Sequence, residues 1–151
     1  KVIVGYPNPD EELEILKRMG NINTNLELKA VVKPEQILSA RKIVDQIHIA
    51  ENIQQYIVSL VLATRNPSEY GLKDLASLIN FGASPRATIF LATASKSHAF
   101  LNKRGFVIPE DVRSVGKSIL RHRIILTYEA EAEEITTEDI IQRIYESVPT
   151  P

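Results

Sequence analysis

The chain has 151 residues, 44% of them apolar and 25% charged, the ordinary composition of one soluble domain with a real core. Its net charge of −1 gives no global argument for nucleic acid or a membrane surface, and the absence of cysteine excludes both a disulfide framework and a thiolate metal site, which fits a cytoplasmic protein. No apolar run is long enough to cross a bilayer, no signal peptide is visible, and the chain opens on Lys1 inside an apolar run, as a piece of something larger would.

Lys1 to Tyr6 reads as a short strand or the end of one. Asn8-Pro9-Asp10-Glu11-Glu12 is a helix start: a cap, a proline at the first position and three acids in the first turn, with Gly20 as the stop. Residues 21–32 form a connection with some strand character at Leu26, Leu28, Val31 and Val32. Pro34 starts a second helix with Ile37, Ala40, Val44 and Ile47 on one face. Ile53, Tyr56, Ile57, Leu60, Val61 and Thr64 follow the spacing of an amphipathic helix, which Asn66-Pro67 breaks. Leu72, Leu75, Ala76 and Ile79 predict a short helical turn before Gly82.

The next helix opens at Ser84-Pro85 and carries Ala87, Phe90, Leu91, Ala94, His98 and Leu101 on one stripe, until Arg104-Gly105 closes it. Phe106-Val107-Ile108 reads as extended, and Pro109-Glu110-Asp111 starts a helix bearing Val112, Val115, Ile119 and Leu120. Ile124 to Thr127 is β-branched and predicts a small strand. Thr136 with Asp139 resembles a capping box and opens a last helix with Ile140, Ile141, Ile144 and Tyr145 before a frayed Pro149-Thr150-Pro151. The fold class that follows is mainly α with one small strand element, and there is no internal repeat.

The most informative stretch is Gly82-Ala83-Ser84-Pro85-Arg86-Ala87. Ser84 is placed to cap with its side-chain oxygen, and Pro85 suits the first helical position, where a missing N–H costs nothing. Arg86 then sits at a helix N-terminus, where the dipole favours anions. A cation held there either meets an anion such as a phosphate, or points into water or at a carboxylate. Elsewhere the chemistry is sparse. His48, His98 and His122 are too scattered for a metal site, and no nucleophile–base pair or phosphate loop is present. Arg121-His122-Arg123 suits the C-terminal end of a helix, and His98 reads as a packed histidine. Tyr6 and Pro7 either line an apolar base-binding pocket or pack at a strand end. Seven basic residues lie between Lys96 and Arg123 against Glu110 and Asp111, whereas seven acids lie beyond Ile124 against Arg143. That asymmetry implies a self-complementary surface within the domain, or regions facing different partners.

Taken together, Gly82 to Ala87, Gly105-Phe106-Val107-Ile108-Pro109-Glu110-Asp111-Val112 and Leu120-Arg121-His122-Arg123-Ile124 resemble the C-terminal part of MoxR-family AAA+ ATPases. So do Gly5-Tyr6-Pro7 with Glu11 to Leu16, Tyr56-Ile57-Val58 with Ala63-Thr64-Arg65, and Tyr128 to Ala132. The resemblance covers essentially the whole chain. It implies a helical AAA+ lid over residues 8–148, preceded at 1–7 by the end of the last ATPase-core strand and its junction, with 149–151 as a tail. It implies that Arg86 matches the sensor-2 arginine, which reaches the γ-phosphate of ATP bound to the core, that Ala83, Ser84 and Pro85 set its approach, and that Tyr6 and Pro7 lie near the adenine. ATP and Mg²⁺ are then cofactors of the full-length protein, with none bound by this chain alone, which is expected to be inactive by itself. The implied partners are the chain's own N-terminal ATPase core, neighbouring subunits in a ring, usually a hexamer, and von Willebrand factor A domain proteins in a chaperone-like remodelling machine, without membrane attachment. The alternative is a stand-alone helical protein- or DNA-interaction module, although the balanced charge argues against strong phosphate-backbone binding.

Overall fold

In the computed structural model, residues 1–20 and 29–151 are described. The first helix forms where local chemistry asks for it: α1 (Pro9–Met19) is opened by a capping box in which Asn8 Oδ1 accepts the Glu11 N–H (2.9 Å) and Glu11 Oε2 accepts the Asn8 N–H (2.9 Å). Gly20 ends it, as expected. α2 (Pro34–Gln46) starts at its proline, and Gln36 Oε1 accepts the Lys33 N–H at 2.8 Å. Neither helix has a buried residue, although Ala40 and Val44 are half-buried and Ile47, just beyond α2, enters the core.

The core is built by four later helices. α3 (Glu51–Ala63) buries the whole expected stripe of Ile53, Tyr56, Ile57, Leu60 and Val61, with Thr64 at its end. α4 (Pro85–Leu101), α5 (Pro109–Leu120) and α7 (Thr137–Ser147) pack with it. The buried column of α4 is Ala87, Leu91, Ser95 and Ala99. The stripe predicted from sequence is therefore rotated: Phe90 and Leu101 are exposed, because small residues on the buried face let α5 approach closely. On α5, Gly116 lies against α7, where an added Cβ would be 1.8 Å from the Tyr145 hydroxyl. α4 stops at Leu101 rather than at Arg104-Gly105. Lys103 takes the left-handed conformation (φ 58°), the Lys103 N–H bonds Phe100 O and the Arg104 N–H bonds Ala99 O, both at 2.9 Å. α7 opens on the predicted box, Asp139 accepting the Thr136 N–H at 2.9 Å and the Thr136 hydroxyl accepting the Asp139 N–H at 3.2 Å.

Two 3-10 turns, Pro67–Tyr70 and Lys73–Ala76, follow α3 and carry Leu75 into the core. Ile79 is not in a helical turn: Ile79–Phe81 is strand β1, antiparallel to β2 (Ile125–Leu126), with Ile79 opposite Leu126 and Phe81 opposite Ile125 across a bulge. A second small pairing joins His48 to Phe106, whose extended conformation was expected. A short helix absent from the sequence reading, α6 (Tyr128–Ala132), is capped by Thr127. Lys1 to Tyr6, read from sequence as a strand or the end of one, joins no helix or ladder among the described residues. The strand character read at Leu26 and Leu28 lies outside the described residues, and Val31 and Val32 are exposed and outside any strand. No helix among the described residues is long and apolar enough to cross a membrane.

Candidate functional site

The turn that delivers Arg86 is bonded to the end of α3. Ala83 is fully buried; its N–H donates to Thr64 Oγ1 at 2.8 Å and its carbonyl accepts from Arg65 Nε at 2.8 Å. The Thr64 hydroxyl in turn donates to Val61 O at 2.7 Å. Gly82 must be glycine here, since an added Cβ would sit 2.3 Å from Thr64 O. Past this point Ser84 is extended (φ −72°, ψ 166°), Pro85 opens α4, and Arg86 is its second residue, exposed and without a hydrogen bond or ion pair to any described residue.

The expected Ser84 side-chain cap is absent. Ser84 contributes only its carbonyl, which accepts the Ala87 N–H at 2.8 Å, while the residue itself stays exposed. The first turn of α4 also lacks an acid, whereas every other α-helix among the described residues has at least one in its first turn. The N-terminal end of α4 therefore combines outward N–H groups, the positive end of the dipole and a guanidinium, with no local negative charge to offset them. Such an end is chemically complementary to a phosphate.

The other end of α4 is pinned by a cluster that the sequence did not reveal. Asp111, in the first turn of α5, is fully buried. Arg104 grips its two oxygens from two nitrogens (2.6 and 2.5 Å), His98 Nδ1 lies 2.6 Å away, and the Ile108 N–H donates at 2.9 Å. Burial alone would push this carboxyl up, but the Arg104 fork, the Ile108 N–H and His98 outweigh it and hold it at about 2. His98 thus packs as expected, and Asp111 is its partner.

The remaining sequence candidates are scattered. Tyr6 and Pro7 are exposed, and no hydrogen bond among the described residues ties Tyr6 to the Gly82–Arg86 turn. Arg121 bonds Lys117 O (3.2 Å) at the end of α5 and pairs with Glu138 at 2.9 Å, so the basic and acidic regions meet at least once within the domain. Arg123 bonds Ile119 O and lies 4.9 Å over the Phe90 ring. Desolvation, with Arg123 and other nearby positive groups, holds His122 below its usual range.

The AAA lid domain model matches residues 73–144, which span β1, α4, α5, β2, α6 and most of α7. Chaperone MoxR1 of Mycobacterium tuberculosis is 40% identical over 151 residues, all of this chain and 40% of that protein. The chain carries an AAA lid domain and is homologous to the MoxR proteins. Protein MoxR of Methylorubrum extorquens is 34% identical over 105 residues, 66% of this chain and 30% of the relative. The crystal structure of a protein described as an ATPase, from Cytophaga hutchinsonii, superposes on this chain with a TM-score of 0.89 and 43% identity, covering 98% of this chain and 45% of that one. The chain thus spans less than half the length of these relatives.

Proposed function

We propose that this chain is the nucleotide-sensing lid of a MoxR-type ATPase, with residues 8–148 as the lid and 1–7 as the junction to the ATPase core. Arg86 acts as the sensor-2 arginine, reaching from α4 to the γ-phosphate of ATP held by the core. The observation that carries this reading is the N-terminal end of α4, without side-chain cap or first-turn acid, from which Arg86 projects with no side-chain partner among the described residues. The residues fit the anionic part of the cofactor: guanidinium and helix end both attract phosphate oxygens. Among the described residues no cluster of three or more His, Asp or Glu could hold a cation.

The bound nucleotide supplies the phosphoryl group that passes to water. Arg86 neutralises charge developing on that group, and a donor fixed in advance lowers the barrier without reorganising. Because α4 is bonded at both ends, to α3 through Ala83 and to α5 through Asp111, the force on Arg86 is passed to the whole helical body. Arg86 would thereby tie lid to core while nucleotide is bound and free it after hydrolysis, the motion that a ring of chaperone-like subunits, working with partner proteins that carry von Willebrand factor A domains, would use for remodelling. Tyr6 and Pro7 border the adenine at the junction. The test is Arg86→Ala in the full-length protein. Turnover of ATP falls by about a hundredfold, within the range of removing one transition-state donor, while the lid stays folded. Unchanged turnover refutes the sensor assignment.

A further inference from the structure

An arginine that must meet one phosphoryl group needs a backbone that leaves its turn in one direction. α4 does not secure this with its own cap, since the Ser84 hydroxyl makes no capping bond. The fixing comes from the end of α3. Both backbone polar groups of Ala83 are taken by adjacent residues: the N–H by the Thr64 hydroxyl (2.8 Å) and the carbonyl by Arg65 Nε (2.8 Å). Thr64 is fully buried, and its hydroxyl both donates, to Val61 O, and accepts, from Ala83, so it is satisfied on both sides. Gly82 lets the two backbones touch, with no room for even a methyl group. From Ala83 to Arg86 there are only Ser84 and Pro85, and the proline ring fixes its own φ. Ala87, directly after Arg86, is again fully buried. The arginine is thus held between two anchored alanines.

We propose that Thr64 and Arg65 are positioning residues for Arg86, forming a two-point latch on Ala83 that sets the angle at which Arg86 meets the nucleotide. This rests on the reading of Arg86 given above. Nothing in the latch touches the reacting atoms; it acts through Arg86 alone. A misplacement of about 1 Å in a catalytic group costs up to about a hundredfold in rate, so loss of the latch matters without loss of the fold.

The experiment measures ATP turnover and melting temperature of the full-length protein carrying Thr64→Val, Thr64→Ser, Arg65→Ala, Arg86→Ala, and Thr64→Val or Arg65→Ala combined with Arg86→Ala. Valine keeps the volume of Thr64 and leaves the Ala83 N–H without its acceptor, whereas serine keeps the hydroxyl. Turnover falls about tenfold in Thr64→Val and about threefold in Arg65→Ala, in line with partial misplacement of a catalytic group. Thr64→Ser returns it to within about twofold of the parent, the hydroxyl being the part that matters. In the Arg86→Ala background neither latch change slows turnover further, as expected of groups acting through one residue. If Arg86→Ala is slow while both latch variants turn over normally, or if the losses multiply, or if serine is no better than valine, the latch proposal is wrong. If Arg86→Ala itself turns over normally, the Arg86 reading fails, and any loss in Thr64→Val then shows that it does not act through Arg86. Arg65 is exposed, so Arg65→Ala carries the test if Thr64→Val proves unstable.

Discussion

α1 and α4 are helices of opposite kinds. α1 has every local signal: a complete capping box, a proline at its start, three acids in its first turn, Lys17 and Arg18 in its last, and an Arg18–Glu14 pair at 2.7 Å. None of its residues is buried, and Leu13, Ile15, Leu16 and Met19 are about half exposed or more. α4 has no side-chain cap and no acid in its first turn, and it exposes Ile89, Phe90 and Leu101, yet it packs against α2, α3 and α5 and is bonded to its neighbours at both ends. Local signals make a helix start and stop. Tertiary bonds make it a firm support, and of the two helices the one bearing Arg86, the proposed sensor, is the one that has them.

That contrast can be broken first at the buried cluster. Asp111→Ala leaves Arg104 beside an empty, buried site and costs about 3–5 kcal/mol of unfolding free energy in urea titration. Leu16→Ala on α1 changes it by no more than about 0.5 kcal/mol. Gly116→Ala, which drives a methyl group into the Tyr145 hydroxyl, costs about 1–3 kcal/mol by the same measurement. Acid sharpens the comparison. The Asp111 carboxyl is held at about 2, below its ordinary unfolded value, so its contribution is complete above about pH 4 and is lost as pH falls through about 2. Urea melts between pH 5 and 2 lose stability in the parent chain, and this component of the loss is missing in Asp111→Asn. At Ser95, whose buried hydroxyl has no partner among the described residues, the effect runs the other way. Ser95→Ala leaves stability unchanged or raises it by up to about 1 kcal/mol.

The helix starts were legible because they depend on neighbours in sequence: Asn8 with Glu11, and Thr136 with Asp139, sit three residues apart. The α3 stripe was legible because large apolar side chains mark its buried face. The α4 face was misread because its buried column is mostly Ala and Ser, whose hydrophobicity does not stand out, while Phe90 does. Ile79 was misread because its strand partner lies 47 residues away at Leu126, and nothing local announces a three-residue strand. At the candidate site, Gly82 to Arg86 drew attention because a cation follows a helix-start signal there, where the dipole favours anions. Asp111 did not, since in sequence it is one more first-turn acid, and only the fold brings Arg104 and His98 to it. Thr64 looked like the last member of an apolar stripe, and its hydroxyl acquires meaning only when Ala83 arrives beside it.

The most direct test of the account is amide hydrogen exchange across residues 82–90 of the full-length protein, with and without a non-hydrolysable ATP analogue. The account predicts that the analogue slows exchange in this segment of the parent protein and does so far less in Arg86→Ala, while α7 exchanges alike in both. Equal protection of residues 82–90 in the parent and in Arg86→Ala would contradict it, because the N-terminal end of α4 would then be meeting the nucleotide, or the core, without its arginine.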